Sequence, residues 1–132
     1  MLTNTDINPD AAVVALTADG EELWRQSLNG TAQTSDAINT LAFSGNTVIA
    51  GGFLTYTGNR PIGIVATFHS ETGTELDRRS VKGTGDFGQN SVASVVTHGN
   101  TVLFAGVITN QDTAQDMYFD EFVVGGGLLA AE

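Results

Sequence analysis

The sequence predicts an all-β chain made of consecutive four-stranded antiparallel sheets. Three observations predict it. Apolar residues nowhere keep the three-and-four spacing of a helix for three turns. Short runs rich in Val, Ile, Thr and Phe are separated by turns, and sixteen glycines against two prolines suit a chain of many tight turns. The chain also repeats itself. Residues 39–52, NTLAFSGNTVIAGG, return as 93–106, ASVVTHGNTVLFAG. Ile38 aligns with Val92 (92 − 38 = 54), Gly30 aligns with Gly83 (83 − 30 = 53), and 62–68 align with 116–122 at 54. A fainter echo sets Val14-Ala15 through Leu23 against Val65-Ala66 through Leu76.

In order, residues 1–10 are a polar lead-in. Asp6-Ile7-Asn8-Pro9-Asp10 has the alternating oxygens of a calcium loop, yet Ala11 and Thr17 stand where an EF-hand needs glycine and glutamate. A capped turn is the expectation there. Residues 12–16 and 22–28 read as a hairpin about the Asp19-Gly20 turn. Strands are predicted at 38–43 and 47–53, joined by Ser44-Gly45-Asn46, with Gly51-Gly52 as a bulge or a close backbone approach. A longer polar loop, 54–61, leads to strands at 62–68 and 75–81. After a link at 82–90 the pattern restarts with strands at 92–97 and 101–108, a matching loop at 110–116, a strand at 117–124, and a stub after Gly125-Gly126-Gly127.

The 132 residues thus read as one all-β repeat domain, 1–132: a partial repeat at 12–30, a full repeat at 37–83 and a partial repeat at 91–132. One four-stranded sheet has two faces to bury and is stabilised by stacking on its neighbours, as the blades of a β-propeller are. About two and a half units fall short of the usual four to eight blades. Three arrangements stay open: a piece of a longer propeller, several copies assembled through their edge strands, or a two-sheet sandwich.

Residues 15–24, ALTADGEELW, resemble the blade motif of the quinoprotein-like propellers: a small residue, a turn, a glycine, and a tryptophan that docks between blades. Residues 65–77, VATFHSETGTELD, resemble it too, with Asp77 in the place of the tryptophan. The run 47–53, TVIAGGF, is similar to a strand of kelch-like and related bacterial surface propellers. The resemblance spans most of 12–124. It implies β-propeller blades, an extracellular or cell-surface setting in a bacterium, and a non-enzymatic scaffold or recognition module. Its alternatives are a self-assembling β subunit that completes blades between chains, and a fragment of a quinoprotein-like propeller enzyme with a metal-dependent cofactor.

The residues themselves exclude more than they assign. A net charge of −10, with only Arg25, Arg60, Arg78, Arg79 and Lys82 to meet phosphate, argues against nucleic acid. Without cysteine there is no disulfide, thiol catalysis or Cys-type zinc site. No apolar run approaches the ~18 residues of a membrane helix, and MLTNTDINPD has neither the basic region nor the apolar run of a signal peptide. Residues 83–88, GTGDFG, fit G-x-G-x-x-G, but strands flank them and Asp86 would repel a phosphate, so they read as a link. His69 and His98 fall at turns and are too few for zinc. Asp116, Asp120 and Glu121 form an acidic cluster, read as a charged edge with a divalent-ion site as the alternative. Arg78, Arg79 and Lys82 sit beside Glu71, Glu75 and Asp77, which predicts local pairing. No catalytic residue, cofactor or metal is expected. The loops 54–61 and 110–116 recur at one place in the unit and would share a face; Tyr56, Asn59 and Arg60 there offer aromatic, polar and charged contacts to a protein or carbohydrate ligand.

Overall fold

The computed structural model describes residues 10–32, 35–57, 60–85, 88–111 and 114–124. Nine strands run through them: β1 (Ala11–Leu16), β2 (Glu22–Leu28), β3 (Ala37–Ser44), β4 (Thr47–Tyr56), β5 (Arg60–His69), β6 (Glu75–Val81), β7 (Ser91–His98), β8 (Thr101–Asn110) and β9 (Ala114–Val123). They form three antiparallel sheets in chain order: sheet 1 is β1-β2, sheet 2 is β3-β4-β5-β6 and sheet 3 is β7-β8-β9. The chain is all-β, and the matched segments take the same local shape.

Sheet 2 is covered on both faces. Val48, Ala50, Leu54, Ile64, Ala66 and Phe68 share one core with Ala11, Val13, Trp24 and Leu28 of sheet 1. Ile49 and Val65, on the other face, share a second core with Val92, Val95, Val102, Phe104 and Phe122 of sheet 3. This explains why β4 lacks polar alternation: it is buried along nearly its whole length, whereas β6 at the outer edge is exposed from Glu75 to Ser80. Each fully buried Val, Ile or Phe contributes about 1.5–3 kcal/mol relative to exposure, so neighbour contact, more than strand pairing, stabilises the units.

The repeat extends to individual hydrogen bonds. Asp36, buried, accepts the Thr55 N–H at 2.7 Å and the Gly30 N–H at 3.1 Å. Asn90, 54 residues on (90 − 36), accepts the Thr109 N–H at 3.0 Å and the Gly83 N–H at 2.9 Å, and donates to the Pro61 carbonyl at 2.9 Å. Each polar residue clasps the incoming link to the second strand of its sheet. A register shift between Ile38 and Thr40 recurs between Val92 and Ser94. Opposite these bulges a Cβ on Gly52 would lie 2.0 Å from the Ala37 carbonyl oxygen, and one on Gly106 2.0 Å from that of Ser91, so only glycine fits.

The sheets are closest at their first strands. β7 packs on β3 and β4 and less on β5. The Asn39 amide donates to the Val92 carbonyl (3.2 Å), the Val95 N–H to Thr40 Oγ1 (3.3 Å), the Thr97 hydroxyl to the Phe43 carbonyl (2.8 Å), and the Ser44 hydroxyl to the Gly99 carbonyl (2.7 Å). The backbones of β6 and β9 do not come as close, and long side chains such as Arg79 and Phe122 span the wedge between them.

Trp24 locks sheet 1 onto sheet 2. Its indole N–H donates to the Ser70 carbonyl at 2.8 Å, and its ring lies 6.1 Å from that of Phe68. Gln26 adds a bond to the Gly73 carbonyl at 2.7 Å. The ring rests on Gly73, which has φ +75° and where a Cβ would come within 2.6 Å of the indole.

Two expectations are corrected. The polar loops are mostly strand: Thr55 pairs with Pro61 and Tyr56 with Arg60, and Thr109 with Gln115 and Asn110 with Ala114. Backbone N–H and C=O groups pair in a ladder whatever their side chains are, so polarity hid the strand ends. The echo in the first unit is also displaced by one residue. Ala15 pairs with Trp24 as Thr67 pairs with Asp77, so Val13, not Val14, is the counterpart of Val65, and Thr17, not Ala18, that of His69. The Thr17 N–H reaches the Glu21 carbonyl, whereas the His69 N–H reaches that of Thr74, one residue further along. A one-residue slip exchanges the faces of a strand, and accordingly Val13 is buried while Val14 is 38% exposed.

Candidate functional site

The wedge between sheets 2 and 3 holds a cleft of about 300 Å³, at the lower end of the range for small-molecule sites. β6 and the residue after it supply Arg79 and Lys82, β8 supplies Phe104 and Ile108, and β9 supplies Tyr118 and Asp120. The basic and acidic clusters that are separate in the sequence therefore meet here. Arg79 and Lys82 come to one cleft with Asp120 and Glu121, while Arg78, on the opposite face, makes a two-pronged ion pair with Glu75 at 2.8 and 2.9 Å.

Arg79 is held in two ways. Its guanidinium stands 4.3 Å from the centre of the Phe122 ring, and its Nε lies 3.5 Å from Asp77 Oδ2. At the first interface Trp24 covers Phe68; at the second, Asp77 occupies the position of Trp24, and Arg79 covers Phe122 instead. The cleft lies beside this exchange of a large apolar ring for a charged, thinner cover.

Tyr118 is the chemical centre of the cleft. Its ring meets that of Phe104 edge-on at 6.1 Å. Its hydroxyl is buried and has no hydrogen-bond partner among the described residues. Burial, and secondarily the neighbouring Asp120 carboxylate, push the phenol up to about 12, so the group is a neutral donor at physiological pH. A buried hydroxyl without a partner costs about 1–3 kcal/mol, and most native buried polar groups have one.

The repeat shows how unusual this is. Counting back 54 residues, Tyr118 corresponds to Ile64 and Asp120 to Ala66, both fully buried in the first core. The third sheet thus places a phenol and a carboxylate where the second has only hydrocarbon. That comparison was available in the aligned repeats, and it is the signal that could have found the site.

The residues singled out from sequence are placed as follows. Tyr56 packs against the core between sheets 1 and 2. Arg60 opens β5, and Asn59 lies outside the described residues. Asp116 accepts a bond from the Asn110 amide at 2.6 Å across the β8–β9 hairpin. His69 Nδ1 accepts the Glu71 N–H at 3.2 Å within its turn. Asp86 and Phe87 of the glycine-rich link, and residues 6–9 of the calcium-like stretch, lie outside the described residues. Among those described, no three His, Asp or Glu side chains gather as a metal site would require. Comparison with known proteins finds no family model and no curated protein that matches the chain.

Proposed function

We propose that the chain is a non-enzymatic, β-propeller-type recognition module, and that the cleft beside Tyr118 seats an uncharged, hydroxyl-rich ligand, a neutral saccharide. The stacked sheets, close at their first strands and splayed at their last, support the propeller reading. The observation that carries the ligand reading is the mixed lining of the cleft, with donors from Arg79 and Lys82 and an acceptor from Asp120, beside a Tyr118 hydroxyl that is buried without a partner among the described residues and gains one by turning toward a bound ligand.

A sugar ring carries hydroxyls that both donate and accept, and an apolar face that suits Phe104 and Ile108. An anionic ligand would meet Asp120 and the field of a chain of net charge −10. The mixed lining favours a ligand that needs both kinds of partner.

Titration calorimetry and amide-shift mapping with a panel of neutral and uronic-acid oligosaccharides test this. Neutral saccharides should shift Lys82, Tyr118 and Asp120 resonances, and Tyr118→Phe should weaken binding about tenfold, the loss of one hydrogen bond of about 1.4 kcal/mol. Absence of saccharide binding, or binding that Tyr118→Phe leaves unchanged, would refute the assignment.

A further inference from the structure

Sheet 3 turns one face to sheet 2 and the other to solvent, and the repeat indicates what the second face is shaped to meet. Its residues correspond, 54 positions back, to residues of sheet 2 on the face that sheet 3 covers. Val65 is 1% exposed and its counterpart Phe119 is 79% exposed. Gly63 is buried and its counterpart Met117 is 89% exposed. Ala42 packs on the second core, whereas its counterpart Val96 is 54% exposed. The positions and the face are the same; the difference is whether another sheet lies over them. Met117 and Phe119 are the large apolar side chains that this uncovered face presents.

Sheet 1 also has an uncovered face, on the side away from sheet 2. Val14 and Leu23 alternate with Val13 and Trp24, which face sheet 2, and are 38% and 59% exposed. We propose that a second copy of this chain covers the outer face of sheet 3 with the outer face of its own sheet 1, head to tail. The contact extends the stacking that already joins sheet 2 to sheet 3. A second copy is the occupant because it carries, in the right order along the stack, an uncovered sheet face of the same kind. The contact is face to face and uses no edge strand. Two chains joined at both such contacts bring together six sheets among the described residues, three from each, within the four to eight of closed propellers. This inference does not rest on the saccharide reading, since the cleft lies between sheets 2 and 3 and on neither outer face.

Sedimentation velocity over a hundredfold concentration range tests it, with Phe119→Lys and Leu23→Lys as variants. Both residues are exposed, so both variants should keep the parent's circular dichroism and thermal midpoint. The parent chain should show species of two or more chains. Each variant alone should lose at least tenfold in association, sedimenting chiefly as the 13.8 kDa monomer. An equimolar mixture should regain a two-chain species, because each variant keeps the face that the other lacks. A parent that stays monomeric throughout would overturn the proposal. So would association that Phe119→Lys abolishes and Leu23→Lys leaves intact, since sheet 3 would then meet something other than sheet 1.

Discussion

Tyr118 carries a polar group into a place where its counterpart, Ile64, is hydrocarbon, and this has two measurable consequences beyond binding. Removing the hydroxyl takes away a desolvated donor and no described hydrogen bond, so Tyr118→Phe should raise stability by about 1 kcal/mol at neutral pH, read as an increased denaturant midpoint. The second consequence is a pH dependence. The folded chain holds the phenolic proton to about 12 against an ordinary value of 10.0. Between those values the unfolded chain binds fewer protons than the folded one, so stability falls as pH rises through that window, and below it Tyr118 adds no slope. The gap in stability between Tyr118→Phe and the parent should therefore widen from pH 10 to 12. A constant gap would mean that the phenol titrates alike in both states. Only part of this was legible residue by residue: Asp120 stood out in an acidic cluster with Asp116 and Glu121, whereas Tyr118 on a predicted strand read as an ordinary position. The aligned repeats mark Tyr118 as a core-facing position, opposite Ile64, and the fold adds what they do not: β6 brings Arg79 into one cleft with Tyr118 and Asp120.

At the level of the element, the clasps at Asp36 and Asn90 hold each link with different chemistry. Asn90, 1% exposed, uses both ends of its amide: the oxygen takes two backbone N–H groups and the nitrogen gives to the Pro61 carbonyl. Asn90→Asp keeps the acceptor but sets a buried carboxylate against that carbonyl, and should cost about 3 kcal/mol. Asp36→Asn should cost only about 1 kcal/mol, because Asn90 itself shows that one amide oxygen can serve both N–H groups. Equilibrium denaturation of the two variants measures this asymmetry, and equal losses would mean that the donor to Pro61 contributes nothing. The elements themselves were largely legible. Val, Ile and Thr runs, the Gly45 and Gly99 turns and the repeat spacing located each described strand. The strand ends at Tyr56, Arg60, Asn110 and Ala114 were not, since a ladder pairs backbone and is indifferent to polar side chains. Nor was the face of β1, where a turn shorter by one residue shifted the echo and exchanged Val13 with Val14.

In the whole molecule, stability should be graded along the stack. Sheet 2 has a core on each face; sheets 1 and 3 have one apiece. Sheet 1 is only two strands wide, too narrow to stand alone, and too narrow to cover β3: Leu41 is 51% exposed, whereas its counterpart Val95, beneath the wider sheet 2, is 5% exposed. Native-state hydrogen exchange should accordingly find the slowest amides in β4 and β5 and the fastest strand amides in β1 and β2. Trp24 makes this testable by substitution, because it carries the bond to Ser70, the contact with Phe68 and the seat on Gly73. Trp24→Ala removes about 3–5 kcal/mol of packing, more than a two-stranded sheet can hold by its own pairing. Residues 11–28 should then exchange like an unfolded segment, while 91–98 and 101–110 keep their protection, since sheet 3 draws its core from the opposite face of sheet 2. Equal loss of protection in sheets 1 and 3 would show instead that the stack unfolds as one cooperative unit, with coupling passing through sheet 2 more strongly than its two separate cores imply.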